Sequence, residues 1–120
     1  MIQKPMTFDE LIKEKTLPVV VIDHNSFFIL VNDAFEKAYG WTAKDLLGNS
    51  VTKIIPPYLQ DAHQVGFSRF LVTEQPTLMN KPLPLSILYR DGTVKDAEHY
   101  ITAQKKKDRW QFAASITPSA

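Results

Sequence analysis

Three histidines, His24, His63 and His99, are the side chains of this chain best able to exchange a proton or bind a metal near neutral pH. They lie too far apart in sequence to match any metal-ligand motif. His63 is the sharpest candidate. Leu59, His63, Phe67 and Phe70 recur at helical spacing, so they share one stripe and the imidazole points inward. A buried ring nitrogen needs a partner, and the plain alternative is a core histidine bonded to a backbone carbonyl or a carboxylate. Arg69 falls at the edge of the same stripe, where a long side chain reaches a ligand carboxylate while its head stays in water. His99 alternates with Ala97, Ile101 and Ala103, so strand geometry turns it toward the same interior; otherwise it is a half-exposed strand histidine. His24 sits in a turn cluster and is expected to face water. The chain has no cysteine, which excludes disulfides, thiolate metal sites, thiol nucleophiles and cysteinyl-flavin photochemistry. Asp91-Gly92 is a turn signal rather than a metal site, and Lys105-Lys106-Lys107 is expected to be a solvated hairpin tip rather than a grip for an acidic partner.

The elements that must position these residues are readable in order. Thr7 and Glu10 form a capping box, and Phe8, Leu11 and Ile12 share one face of a short helix over residues 8–15 that ends before Pro18. Val19–Asp23 and Phe27–Val31 read as a hairpin around His24-Asn25-Ser26. Asn32 caps a helix carrying Ala34, Phe35, Ala38 and Tyr39, with Gly40 as its stop. Thr42 and Asp45 suggest a second capping box before Leu46 and Leu47, with one further turn over residues 50–55. Pro56-Pro57 precedes a long helix from about Tyr58 to Thr73. Three strands follow: about Leu83–Tyr89, Thr93–Ala103 and Arg109–Thr117, the last two joined by a tip at Gln104–Asp108. Segregated strands and helices predict an α+β domain with an antiparallel sheet.

The length of 120 residues allows one domain, divided into an N-terminal amphipathic helix or cap (1–16) and the domain proper (17–120). With 44% hydrophobic and 22% charged residues the chain can bury a single core. A net charge of +1 gives no global pull toward nucleic acid or membrane. No apolar run approaches the ~20 residues of a membrane span, and Met1–Pro5 lacks the apolar core of a signal peptide, so a cytoplasmic location is the default expectation.

Four stretches resemble the PAS family. Val31-Asn32-Asp33-Ala34-Phe35 is similar to its strand-to-helix junction, and Tyr39-Gly40-Trp41-Thr42 through Asp45-Leu46-Leu47-Gly48 to its "GY-(S/T)-xx-(E/D)LLG" box. Ile54-Ile55-Pro56-Pro57 is similar to the proline stop before the long helix, and Tyr89-Arg90-Asp91-Gly92 to the hairpin before the last two strands. The usual closing Asp-Ile-Thr reads Ser115-Ile116-Thr117 here. The resemblance implies a five-stranded antiparallel sheet with short helices and one long helix on one face, and a ligand enclosed at the concave side. It implies a sensory role without catalysis, homodimers, and a histidine kinase, cyclase, phosphodiesterase or chemoreceptor as partner.

Ala62 to Phe70 resembles the haem-ligand helix of rhizobial oxygen-sensor kinases and of bacterial haem-PAS phosphodiesterases. By that likeness His63 would be the axial ligand of haem b and, by the kinases alone, Arg69 would hold a propionate. Leu83 stands where the kinases place an oxygen-facing Arg, and Thr77 at a position that helps hold a propionate. Leu78, Ile101 and His99 complete the expected cofactor wall, while Met79 is expected to pack in the core or loop. Flavin ranks below haem, because neither Trp41 nor Trp110 lies in the long helix. Two readings of other classes stand beside these. One is a small α+β cone enzyme using His99 or His63 with Asp96 or Glu98, although alternation puts both carboxylates on the face opposite His99. The other is a dimerisation module whose core is filled by Phe67, Phe70 and Trp110. The apolar face of the first helix is expected to support a dimer, the back of its own sheet being the other surface it could meet.

Overall fold

The computed structural model describes residues 6–75 and 79–119. It contains α1 (Phe8–Ile12), β1 (Val19–Ile22), β2 (Phe28–Val31), α2 (Asp33–Tyr39), α3 (Ala43–Leu46), a 3₁₀ turn (Val51–Ile54), α4 (Pro57–Thr73), β3 (Pro82–Leu88), β4 (Val94–Lys106) and β5 (Arg109–Pro118). The strands form one antiparallel sheet in the order β2-β1-β5-β4-β3. The α+β architecture is therefore the expected one.

Local chemistry starts and stops the helices. Both capping boxes form, Thr7 with Glu10 and Thr42 with Asp45. Asn32 does more than cap α2. Its Oδ1 accepts from Phe35 N and Val19 N, both at 2.9 Å, while its Nδ2 donates to Leu17 O at 2.8 Å and Glu14 O at 3.1 Å. One half-buried amide thus ties the α1–β1 connection, β1 and α2 together, with every hydrogen-bonding site used. Gly40 ends α2 with φ +83, and an added Cβ would lie 3.1 Å from Arg90 Cβ, so both backbone and space favour glycine. α1 stops at Ile12 rather than running to 15, because Glu14 turns the chain. Its carboxylate accepts from Thr16 N and Leu17 N, and its carbonyl is taken by Asn32.

The sheet is buried on both sides at β1, which explains its uninterrupted Val-Val-Val-Ile run. Val20 and Ile22 join Phe28, Phe35, Tyr39, Leu46, Ile54, Phe112 and Ile116 in the core on the concave face. Val19 and Val21 join Tyr100 and Ala113 on the convex face, where Phe8 and Leu11 of α1 cover them. Phe8 and Leu11 of the α1 stripe therefore rest on their own sheet, the second of the two expected surfaces, with Ile12 half-buried beside them. Pairing shifts from Val21↔Leu30 to Ile22↔Phe28, so Ile29 is the extra residue of a bulge, turned outward at 45% exposure. Tyr39 Oη donates to Ile116 O at 2.6 Å, locking α2 to the end of β5.

The β4–β5 hairpin departs from expectation. β4 runs on to Lys106, and the tip shrinks from Gln104–Asp108 to Lys107-Asp108, with φ of 50 and 65. Two consecutive positive φ values make the tight turn whose twist matches the strands, and the ladder is extended through Lys106↔Arg109.

Candidate functional site

α4 begins at Pro57, whose missing N–H costs nothing at the first helical position. Of its 17 residues only Phe70 is fully buried, so the helix stands off the sheet along most of its length. It is held at its ends. Near the start, Gln60 Nε2 donates to Thr52 O and Ile55 O, and Tyr58 Oη bonds Ser86 Oγ at 3.2 Å. At the far end, Glu74 accepts from Lys105 Nζ and Trp110 Nε1, both at 3.1 Å. Between these anchors Phe67 and Phe70 meet Phe112 at ring separations of 5.1 and 5.4 Å, and Phe70 meets Trp110 at 4.9 Å. The three residues expected to fill the core do so incompletely: Phe70 is buried, whereas Phe67 and Trp110 are half-buried.

The space left between α4 and the concave sheet face is a cavity of about 390 Å³, inside the size range of small-ligand sites. Its helix wall carries Leu59, Ala62, His63, Gly66 and Phe67; its sheet wall includes Leu83, His99, Ile101, Phe112 and Ala114. Among the described residues the lining is mainly apolar and contains no carboxylate. His63, Arg69, Leu83, His99 and Ile101 all line it; Leu78 and Thr77 fall outside the described residues. Met79 packs against the core, as expected, and also borders the cavity. Sequence reasoning missed Gln75, Ser86 and the small pair Ala62 and Gly66. The spacing of that pair on the inner face of α4 was the available signal.

His63 is half-buried and its ring stacks on Phe67 at 5.8 Å with an interplanar angle of 27°. Its Nε2 is shut off from solvent and has no hydrogen-bond partner among the described residues. Among the described residues no carbonyl or carboxylate takes the place expected beside a core histidine. Burial lowers the imidazole pKa from its usual 6.5. His99 is buried rather than half-exposed, and its Nδ1 lies 3.0 Å from Ala97 O in its own strand. Burial also lowers its pKa, and the bond to Ala97 opposes this only in part. Leu83 is its directly opposite partner on β3. Arg69 is exposed and forms no ion pair among the described residues. Asp96 is engaged by Ser86 Oγ at 3.0 Å, and neither it nor Glu98 lines the cavity, so a histidine–carboxylate pair with His99 is not formed. No three-residue metal cluster of His, Asp and Glu side chains occurs among the described residues, and none of their helices is long and apolar enough to cross a membrane.

Comparison with known proteins places this geometry in context. A family model described as the PAS fold matches residues 8–104. A PAS domain from Desulfitobacterium hafniense superposes with a TM-score of 0.72 at 18% identity, over 90% of this chain and 97% of that one. A PAS domain from a two-component sensor histidine kinase gives 0.70 at 16% identity, over 91% and 90%. An uncharacterised protein of Azorhizobium caulinodans is 30% identical over 99 residues, which is 82% of this chain; the chain spans 14% of that relative's length.

Proposed function

The chain belongs to the PAS family, and on that premise we propose that it is a sensory domain whose signal is a small, mainly apolar ligand held between α4 and the sheet. The observation carrying this reading is the cavity itself: a long helix suspended at both ends over an apolar wall, with two imidazoles turned into the gap. A filled core would have no use for such spacing. Ligand entry changes the packing of α4 and of β4. On β4, His99 in the cavity is followed by Tyr100 on the convex face, whose Oη accepts from Met6 N at 3.3 Å beside α1. A partner docked near α1 or along the sheet would read that change; a histidine kinase, cyclase, phosphodiesterase, chemoreceptor or second copy of the chain is the proposed class. Mass spectrometry of an organic extract of the purified protein tests the reading. A bound small molecule released on denaturation supports it; a protein that carries none and binds none of a broad apolar panel overturns it.

Haem b is the second reading, favoured by the unpartnered Nε2 of His63. A neutral imidazole with a free lone pair suits iron, and the apolar walls suit a porphyrin. His63 would hold the iron and Arg69, at the rim, a propionate, while Leu83 and Ile101 would shape the surroundings. Bound haem would supply gas or redox sensing. Flavin is less supported, since Trp41 Nε1 is bonded to Leu88 O and Trp110 Nε1 to Glu74, both away from the lining. The absorption spectrum separates these cases: a Soret band that disappears in His63→Ala supports haem, and a spectrum without one after reconstitution with hemin removes it.

A further inference from the structure

We propose that His99 is the hydrogen-bond acceptor of the sheet wall of the cavity, facing His63 on the helix wall, and that the ligand is an uncharged, mainly apolar molecule carrying a hydroxyl or N–H donor. This rests on the cavity being a ligand site, though not on haem. A carbonyl oxygen can only accept, so the contact from His99 Nδ1 to Ala97 O requires the proton to be on Nδ1. In a neutral ring Nε2 then holds a bare lone pair. Burial favours that neutral form. The one hydrogen bond of the ring among the described residues is that of Nδ1, and the ring borders the cavity, where Nε2 is open to a ligand.

The surroundings decide what that lone pair meets. Leu83, opposite in the register, and Ile101, two residues along, are aliphatic and offer no polar atom. Ser86 Oγ is already bonded to Asp96 and Tyr58. On the sheet wall, His99 is therefore the free polar group among the described residues. A cationic ligand would find no carboxylate in the lining to balance it, and Arg69, the one charged lining residue, sits exposed on the helix side, away from the sheet wall. What remains is a neutral donor. A site arranged in this way discriminates against an analogue that lacks the donor, because the ligand then covers the acceptor without pairing it.

The test compares 2-naphthol with 2-methoxynaphthalene, which keep the same flat apolar body and differ in the donor. Calorimetry should show 2-naphthol binding about fivefold to tenfold more tightly, the worth of one buried hydrogen bond. The Nε2 resonance of His99 in ¹⁵N-labelled protein should shift with 2-naphthol and stay in place with the ether. His99→Phe should reduce the preference by most of that factor while His63→Phe leaves it largely in place, and His99→Gln, which retains an acceptor, should restore part of it. The ¹⁵N readout needs no variant to fold. Equal binding of both probes, with the Nε2 resonance unmoved, overturns the role of His99 and leaves the cavity as a ligand site. Failure of both probes to bind overturns the cavity reading and this inference with it.

Discussion

Leu11 of α1 packs against the convex face beside Tyr100 of β4 and is completely shielded from solvent. The contact joins the most N-terminal described helix to the strand that carries His99. Leu11→Ala should destabilise the domain by about 2–4 kcal/mol, the range for truncating a buried leucine. In a chain of this size that lowers the melting temperature by roughly 10–20 °C. A thermal melt within two or three degrees of wild type would show that α1 is not held on the sheet. The loss should also leave α1 unprotected in hydrogen exchange while β1 and β5 stay protected.

Asn32 makes four hydrogen bonds to four backbone groups, two as donor and two as acceptor. Asn32→Ala should cost about 2–4 kcal/mol in urea denaturation, more than the ~1 kcal/mol of an ordinary helix cap. Asn32→Asp is the more telling change. It preserves the cap, yet it removes both donors and sets a carboxylate against Glu14 O and Leu17 O. It should therefore be at least as destabilising as alanine. If aspartate were tolerated, the bonds to the α1–β1 connection would carry no weight.

This residue also shows where the sequence was legible. A cap at Asn32, the capping boxes at Thr7 and Thr42 and the inward turn of His63 and His99 are local facts, set by three- and two-residue periodicities. The bonds from Asn32 to Glu14 and Leu17 depend on a chain reversal that no local pattern encodes. The bulge at Ile29 is likewise invisible in an apolar run where either register buries hydrophobic residues. Phase turned His63, Arg69, His99 and Ile101 toward one space, because phase decides direction, whereas Leu83 entered only through the family likeness. It could not say how far α4 stands from the sheet, since that distance is set by Tyr58, Gln60 and Glu74 reaching across to other elements. The bare Nε2 of His63 follows from that distance, which stripe phase does not carry: phase alone is equally consistent with a nitrogen bonded to a carbonyl or carboxylate.

Ser26 carries two separate costs. Its φ of 67 lies in the left-handed region, and its Oγ is buried with no hydrogen-bond partner among the described residues. Ser26→Gly relieves both, against a smaller penalty in unfolded-chain entropy. The variant should be more stable by about 0.5–2 kcal/mol, seen as a higher urea midpoint at constant slope. A lower midpoint would mean that the hydroxyl has a partner in solution.

The buried histidines predict the acid side of the stability curve. Burial lowers the pKa of both His63 and His99 below the usual 6.5, so above that value they are neutral in the folded and the unfolded chain alike. As pH falls below 6.5 the unfolded chain takes up protons that the folded chain refuses, and stability declines until the lowered folded values are passed. The decline should begin above the range where carboxylates titrate. The double variant His63→Phe, His99→Phe should flatten the slope just below pH 6.5. An unchanged slope in that variant would show that neither ring is desolvated.

Gly66 separates stability from binding. It lies in the middle of α4 facing the cavity, and a Cβ added there meets nothing within 4 Å. Its backbone is helical, so Gly66→Ala should stabilise the helix by about 0.5–1 kcal/mol through propensity alone. A methyl group takes little of a 390 Å³ cavity, and binding of an apolar probe such as 2-naphthol should be nearly unchanged. Gly66→Phe keeps the helix and sends a ring into the space beside His63 and Phe67. It should raise or hold the melting temperature, because it fills a void, while weakening probe binding by more than tenfold. Calorimetry and a thermal melt on the same three proteins read both effects. Full binding in a well-folded Gly66→Phe protein would place the ligand somewhere other than between α4 and the sheet. Loss of both binding and stability would mean that the helix cannot accommodate the ring and that α4 lies closer to the sheet than its exposed inner face implies.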